Sequence, residues 1–308
     1  MRTVLLALLG FTLMLGVTSL QATHIVGAEL YYACIDSANS QYEITLKIYR
    51  DCDRGQANFD DPIDLFIFDG LNGQRMHLIS IPKPANTPKI APENWDACVG
   101  SPYNICVEEG IYRDTITLLP NFGGYDLAWA RCCRNSAITN LDDPLGEGVT
   151  FLAHVPAPSV VRCNSMPTFN QVPPVFLCAQ KPFNFDHSAT DPDGDSLVYR
   201  FSNPYRGLDL NGDGAGNNQQ NPGDPPPIVS LANPMGPPPY QTVDFAPGYT
   251  FTSPFGVGPS SIDSRTGFLS VVPPTPGIFV IAISVFEYRN GQLLSEQRRD
   301  FQIHVVPC

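Results

Sequence analysis

Three aspartates at alternate positions, Asp191, Asp193 and Asp195, lie in the short segment DPDGD. A proline and a glycine separate them, so the backbone is able to turn and bring the three carboxylates towards one point. Calcium binds about six to eight oxygens, which carboxylates and carbonyls on a bending loop supply. Asp and Gly are also common in tight turns for backbone reasons alone. The segment is therefore interpreted either as a calcium site or as an acidic hairpin turn.

A second potential cation site is the segment DLNGDG, in which Asp209, Asn211 and Asp213 alternate before Gly214. This spacing matches the first half of an EF-hand loop. The position that carries the bidentate Glu in that loop is Gln220 here. A flexible Asn/Gly loop is the favoured interpretation, with a bound calcium as the alternative.

Catalytic motifs are absent from the sequence, which contains no GxSxG, no HExxH and no phosphate-binding glycine loop. No catalytic residues are assigned, and the chain is expected not to be an enzyme. His187 is expected to be a strand-end residue with local hydrogen bonds. A hydrolase would require convergent carboxylates, for example Asp60, Asp186 and Glu287 in one pocket.

The cysteines predict a disulfide framework in an exported chain. They are Cys34, Cys52, Cys98, Cys106, Cys132, Cys133, Cys163, Cys178 and Cys308. Without a CxxC motif or nearby histidines, a zinc site is not expected. Cys132 and Cys133 are neighbours on a predicted strand and face opposite ways, so each should pair with a different part of the domain. Their partners are expected among Cys34, Cys52 and Cys163.

Two further pairings are predicted from position along the chain. Cys98 and Cys106 lie near the end of the long loop 82–106 and are close enough to form a small ring. Cys178 opens the second β-rich block and Cys308 closes it, and the first and last strands of sandwiches frequently lie together. A bond between Cys178 and Cys308 is therefore expected.

Residues 1–22 have the layout of a secretory signal peptide, with Arg2 before an apolar run and small or polar residues at the end. No later run is long and apolar enough for a transmembrane segment. The full chain has 30 acidic and 18 basic residues and a net charge of −12, which becomes −13 without Arg2. This acidity argues against nucleic acid and anionic membranes as partners. A secreted or cell-surface location is expected.

Short runs rich in Val, Ile, Phe, Tyr and Thr, with frequent Gly and Pro between them, predict an all-β protein with two β-sandwich domains in tandem. The predicted boundaries are a disulfide-rich domain at 23–160, a Pro-containing linker and first-strand region at 161–175, and a second domain at 176–308. That second domain contains a long insertion at 206–240, which is expected to be a surface excursion whose proline-rich second half has polyproline character.

The second block resembles the cadherin-like and immunoglobulin-like repeats of exported bacterial proteins. The segments that carry the resemblance are SATDPDGDSLVYRF and SIDSRTGFLSVVPPTPGIFVIAISVFEYRNG. Matching positions are Leu197, Tyr199, Asp263, Thr266, Gly267, Leu269, Pro276 and Gly277. The resemblance implies that both domains are immunoglobulin-like or cadherin-like, and it favours calcium at the DPDGD loop. It also implies that Glu287, where such repeats usually have Asp, joins the calcium site.

A wider resemblance links nearly the whole chain after the signal to the N-terminal region of large surface proteins of gliding bacteria. The motifs include ATHIVGAELYYAC, GGYDLAWARCCRN and EYRNGQLLSEQRRDFQ. Such proteins often carry a gliding-motility-associated C-terminal sorting domain, whereas this chain reaches Cys308 without one; a short free-standing member and a fragment are both open. The resemblance implies surface location and adhesion. Relatives often have Cys where this chain has Ser202 and Ser284, as if one disulfide had been lost as a pair.

The leading prediction is a non-enzymatic exported protein of the gliding-motility-associated surface type, which serves adhesion or extracellular structure and is stiffened by calcium. Its expected partners are a cell-surface protein, a glycan or other copies of surface assembly proteins. The alternative is a carbohydrate-binding module that uses Trp95 on the 82–106 loop. Trp129 is expected in the core instead, because YDLAWA reads as a buried strand.

Overall fold

The computed structural model describes residues 25–53, 58–90, 106–131, 134–207 and 235–308. Within these ranges the chain forms strands and no helix, which confirms the all-β class. The strands are β1 (Ile25–Asp36), β2 (Gln41–Asp51), β3 (Ile63–Asp69), β4 (Arg75–Ile81), β5 (Lys89–Ile90), β6 (Val107–Thr117), β7 (Tyr125–Arg131), β8 (Val149–Val155), β9 (Thr168–Phe169), β10 (Phe176–Cys178), β11 (Phe183–Asp186), β12 (Ala189–Thr190), β13 (Ser196–Ser202), β14 (Ser260–Ile262), β15 (Phe268–Val271), β16 (Gly277–Arg289) and β17 (Gln292–Val306).

One large sheet runs through both halves of the chain in the order β13-β16-β17-β1-β2-β6-β5, and β10 pairs with β17 in parallel. The smaller sheets are β4-β3-β7-β8, β11-β15-β14 and the pair β12-β9. The first strand of the first half, β1, pairs directly with the last strand of the second half, β17. The two halves are therefore joined by main-chain pairing in addition to the chain between them.

Two sandwiches share the large sheet and lie on its opposite faces. Ala28 of β1 pairs with Asp300 of β17, so the two side chains point to the same face. Ala28 belongs to the core beneath β4-β3-β7-β8, whereas Phe301, which follows Asp300, belongs to the core beneath β11-β15-β14. Because successive side chains on a strand alternate, the two cores lie on different faces.

The alternation of apolar residues explains how each strand contributes to a core. Ile44, Leu46 and Ile48 of β2 all face the first core, where Trp129 is buried as expected. Gly27 marks the contact between the halves, because a Cβ at this position would lie 2.5 Å from the carbonyl oxygen of Asp300. A glycine is therefore required where β1 approaches β17.

The proposed domain boundary at 161–175 stays a prediction. This segment contains β9, which pairs with β12, so it takes part in the second sandwich. It is also bonded to the first half, because Cys163 forms a disulfide with Cys34. The segment is therefore attached to the first half by a disulfide and to the second sandwich by strand pairing.

Three disulfides join described cysteines: Cys34–Cys163, Cys52–Cys106 and Cys178–Cys308. The last is the pairing expected from the ends of the second block. The predicted ring between Cys98 and Cys106 is wrong, because the antiparallel register of β2 and β6 places Cys52 beside Cys106. All three expected partners of Cys132 and Cys133 are bonded elsewhere, so that expectation is also wrong. Cys98, Cys132 and Cys133 themselves lie outside the described residues.

The proline-rich end of the 206–240 insertion is not a free surface excursion. Met235 is buried against Phe66 and Phe68 on the outer face of β3, and Tyr240 packs beside it. Strand β3 has apolar side chains on both faces, so those on its outer face must be buried by another part of the chain. Across the described ranges, no helix is long and apolar enough to cross a membrane. The disulfides indicate a protein that folds in an oxidising compartment.

Candidate metal centre

Three carboxylates from two elements meet at one end of the second sandwich. Asp191 and Asp195 lie on the loop between β12 and β13, and Glu287 lies near the end of β16. One oxygen of each carboxylate lies within 4.8 Å of the others. Oxygens bound to the same calcium ion, each about 2.4 Å from it, are separated by at most about 5 Å. The spacing therefore suits a single shared cation.

Glu287 is buried because it continues the inward-facing side of β16. The alternate residues before it, Phe279, Ile281, Ile283 and Val285, all lie in the second core. The Glu287 side chain is accordingly 0% exposed. Its Oε2 accepts hydrogen bonds from the side chains of Asn164 and Ser295. Its Oε1 has no partner among the described residues.

Burial raises the pKa of Glu287 to about 8, and a hydrogen bond between its protonated form and the Asp195 carboxylate and the negative charge of Asp191 add to the rise. Hydrogen bonds from Ser295 and Asn164 oppose it. A carboxyl group with this pKa is mostly protonated near neutral pH unless a positive charge compensates it. The group is therefore suited to exchange a proton for a cation.

Asp191 shapes the DPDGD loop with one oxygen and leaves the other in the cluster. Its Oδ1 accepts the backbone N–H groups of Asp193 and Asp195, each at 2.9 Å. Gly194 has a φ of 80°, which permits this tight turn. Asp191 Oδ2 is buried and has no partner within the described chain. Burial raises the pKa of Asp191 despite the two backbone hydrogen bonds.

The remaining loop aspartates contact Arg289, two residues beyond Glu287. Arg289 donates to Asp195 at 2.6 Å, and this hydrogen bond lowers the pKa of Asp195. The sequence analysis assigned Asp193 as a ligand, but Asp193 lies outside the cluster of three carboxylates. Its Oδ2 instead accepts the backbone N–H of Ser165 at 2.8 Å and lies 3.4 Å from Arg289.

The segment 163–166 ties this cluster to the first half of the chain. Asn164 donates to Glu287 at 2.9 Å, and Ser165 donates to Asp193. On its other side, the backbone N–H of Met166 donates to the carbonyl of Tyr32 on β1 at 3.0 Å. The disulfide of Cys163 lies at the start of the same segment. The acidic cluster is therefore located at the junction of the two sandwiches.

The donor set fits a divalent cation. When all three clustered carboxylates are ionised, the single guanidinium of Arg289 leaves two negative charges uncompensated. Two buried oxygens, Asp191 Oδ2 and Glu287 Oε1, lack partners in the part of the chain that the structure describes. Buried polar atoms without partners are costly, and an ion would satisfy both. Hard oxygen ligands of this kind suit calcium, magnesium or manganese.

The other predicted site residues do not join this cluster. Trp95, Asp209, Asn211 and Asp213 lie outside the described residues. Asp60 forms an ion pair with Arg131 at 3.1 Å in the first half.

Asp186 lies in a cleft beside β13 that Asp195 of the acidic cluster also lines. The expectation of local hydrogen bonds for His187 is wrong for its ring, because the ring is fully buried among phenylalanines and its Nδ1 lies 3.5 Å from Nη1 of the distant Arg299. Burial and Arg299 lower the pKa of His187.

Sequence reasoning missed three residues of the site, Asn164, Arg289 and Ser295. Arg289 could have been identified from the sequence, because it lies two residues after Glu287 on a predicted strand. Ser295 is placed by the hairpin register that pairs it with Glu287. Nothing in the sequence indicated Asn164, because it is distant from Glu287 along the chain and only folding brings the two residues together.

The fold and the cluster define a disulfide-bonded, all-β sandwich protein with a buried acidic site at the junction of its two sandwiches. No protein-family model, curated protein or solved structure matches the chain.

Proposed function

We propose that this protein is a non-enzymatic, exported structural or adhesion protein of the cell surface in which calcium stiffens the junction between the two sandwiches. The observation that carries the proposal is the pair of buried, unpartnered oxygens on Asp191 and Glu287. Together with Asp195, these residues would hold the ion. The resemblance to surface proteins of gliding bacteria supports the surface location and the adhesive role.

The mechanical role follows from what the ligands are attached to. Asp191 and Asp195 belong to a loop, and Glu287 belongs to the sheet that both sandwiches share. Asn164, which donates to Glu287, follows a cysteine that is bonded to β1. An ion at the cluster would therefore restrain the loop, the shared sheet and the connecting segment at the same time. A rigid junction transmits force between a surface anchor and a ligand without local unfolding.

The energy of such a site is modest. A dissociation constant of ~10⁻⁴ M, which is within the range of extracellular modules, gives ~1.4 kcal/mol of stabilisation at ~1 mM calcium. Each disulfide contributes ~2 to 4 kcal/mol. Calcium is therefore expected to order the junction and not to decide whether the protein folds.

Thermal melting of the chain without its signal, in EGTA and in ~1 mM calcium, tests the proposal. We expect calcium to raise the melting temperature by roughly 3 °C. The increase should disappear in Glu287→Gln and persist in Asp114→Asn, which removes an exposed carboxylate on β6. Magnesium should have a smaller effect, because it requires a tighter octahedral shell. An identical increase in Glu287→Gln would contradict the assignment.

The alternative role as a glycan-binding module through Trp95 has no support from the described residues, because Trp95 lies outside them. Loss of glycan-array binding in Trp95→Ala would favour that alternative. Binding to cells without glycan dependence would favour a protein partner.

A further inference from the structure

A cleft with a volume of about 660 Å³ opens on the side of the second sandwich. One wall is formed by Asp186 of β11 and Phe268 of β15, which are direct partners in the ladder. Leu197 and Tyr199 of β13 also line the cleft, together with Asp195 of the acidic cluster. This volume is within the range of small-molecule sites. Apart from Asp195, the lining residues have no role in the proposed calcium site.

The rim of the cleft is a rigid turn between β14 and β15. Asp263 Oδ1 accepts the backbone N–H groups of Arg265 and Thr266, each at 2.9 Å, and these bonds lower the pKa of Asp263. Gly267 has a φ of 75°, and a Cβ there would lie 2.9 Å from the carbonyl oxygen of His187. The turn therefore has one conformation, in which Arg265 and Thr266 border the cleft.

The polar groups of the cleft retain unused hydrogen-bonding capacity. Arg265 forms no ion pair within the described ranges. Asp186 uses Oδ1 to accept the N–H of Ser188, and its other oxygen is not engaged among those residues. The hydroxyl of Ser188 accepts a bond from Asn170 and still has its own proton to donate. Donors and acceptors thus line the same cleft.

An apolar surface completes the lining. The Phe268 side chain is 45% exposed, although an aromatic ring of this size is normally buried. Leu197 faces the same cleft. A ligand that fits this lining must offer hydrogen-bond donors and acceptors together with a nonpolar face.

We propose that the cleft binds a neutral saccharide. Sugar hydroxyls both donate and accept, so they match Asp186 and Arg265 at the same time, and the C–H face of the ring packs on Phe268. Because Asp186 and Arg265 carry opposite charges, a ligand with a single charge would be attracted by one of them and repelled by the other. A neutral polyhydroxyl ligand forms hydrogen bonds with both and meets no such repulsion.

The inference deepens the proposed adhesive function and rests on it for the source of the saccharide, which would be a glycan on another surface. Asp195 of the acidic cluster also lines the cleft, so the two sites are adjacent and saccharide binding is measured both with and without calcium. The two proposals are distinguished by separate measurements, melting for the ion and ligand binding for the cleft. Calcium-dependent melting without saccharide binding would overturn this one alone, and the reverse result would overturn the calcium site alone.

Saturation-transfer NMR on the full chain without its signal tests the cleft. The probes are glucose, galactose, mannose and N-acetylglucosamine and their short oligomers, measured in calcium and in EGTA. We expect saturation transfer to at least one probe, with affinity reduced roughly tenfold in Phe268→Ala. Arg265→Gln, which changes an exposed side chain with little risk to folding, should also weaken binding.

The matched control is Phe122→Ala, because Phe122 is 94% exposed and lies on the first half of the chain. This variant should bind each probe as tightly as the parent. The inference is overturned if no probe binds, if Phe268→Ala and Arg265→Gln both bind unchanged, or if a charged peptide is the only ligand that occupies the cleft.

Discussion

The carboxylate of Glu29 on β1 and the guanidinium of Arg299 on β17 form a fully buried ion pair, with Arg299 Nη2 2.7 Å from Glu29 Oε1. Tyr49 donates to the same carboxylate oxygen at 2.8 Å, and the Arg299 guanidinium lies 4.0 Å from the ring centre of Phe169. The pair connects the strand that begins the first half to the strand that ends the second. Cooperation between the halves therefore depends on buried charge as well as on main-chain pairing.

Removal of Glu29 should be strongly destabilising. In Glu29→Leu the charge of Arg299 remains buried without a partner, so we expect a loss of about 3 to 5 kcal/mol in the free energy of unfolding. Urea denaturation measures this loss. The double variant Glu29→Leu/Arg299→Met should recover most of it, because both buried charges are then absent.

The control for this pair is Asp244→Asn, since the Asp244 side chain in the ion pair with Arg206 is 74% exposed. Its cost should be below about 1 kcal/mol. A Glu29→Leu cost as small as that of the control would contradict the importance of the buried pair.

The halves are expected to unfold together. A fragment of residues 164–308 lacks Glu29 and Arg134, the partners of Arg299 and Asp300 on β17. It also exposes the edge of β17 that pairs with β1. Differential scanning calorimetry of residues 23–308 should show one transition, and the fragment should show no native-like transition. Two well-separated transitions, or a fragment that melts near the parent temperature, would argue for independent domains.

Stability in EGTA should fall with rising pH through the titration of Glu287. The pKa of this residue rises from 4.5 to about 8 on folding, so between these values the folded state binds more protons than the unfolded state. The stability present below pH 4.5 is then lost as pH rises through about 8, by roughly 5 kcal/mol at most. Urea denaturation at several pH values measures the slope.

Glu287→Gln removes the titrating proton and should flatten this part of the profile. Calcium should reduce the loss in the parent, because it replaces the proton as the compensating charge. Parallel pH profiles for the parent and Glu287→Gln in EGTA would rule out this role for Glu287.

Ser202 and Ser284 are diagonal neighbours on β13 and β16, because Ser202 pairs with Ala282 and Ser284 pairs with Arg200. The hydroxyl of Ser202 donates to that of Ser284 at 2.6 Å, and both residues are buried between β13 and β16. We expect Ser202→Cys/Ser284→Cys to form a disulfide that adds ~2 to 4 kcal/mol. Melting with and without a reductant measures the gain, with Ser202→Cys alone as the control. Two free thiols in the oxidised double variant would contradict this geometry.

The sequence predicted those parts of the fold that depend on the local order of residues. The Cys178–Cys308 bond was predicted from the ends of the second block, and the resemblance assigned Glu287 to the acidic site. Errors arose where register between distant strands decides the outcome. The β2–β6 ladder pairs Cys106 with Cys52, which no local spacing indicates.

The same distinction holds for the site. The turn around Asp191 is encoded by DPDGD itself, whereas Asn164 reaches Glu287 only because the connecting segment lies against β1. Local sequence pattern also could not predict that both halves share one large sheet. It depends on the close approach of Gly27 to β17, which a glycine in the sequence does not by itself reveal.

Isothermal titration calorimetry of calcium into a chain of residues 23–308 is the most direct test of the metal centre. We predict binding near ~10⁻⁴ M that disappears in Asp191→Asn and in Glu287→Gln. Asp209→Asn/Asp213→Asn serves as the control for the second candidate loop and should leave this binding in place. Absence of calcium heat in the parent, or binding that survives both Asp191→Asn and Glu287→Gln, would contradict the account.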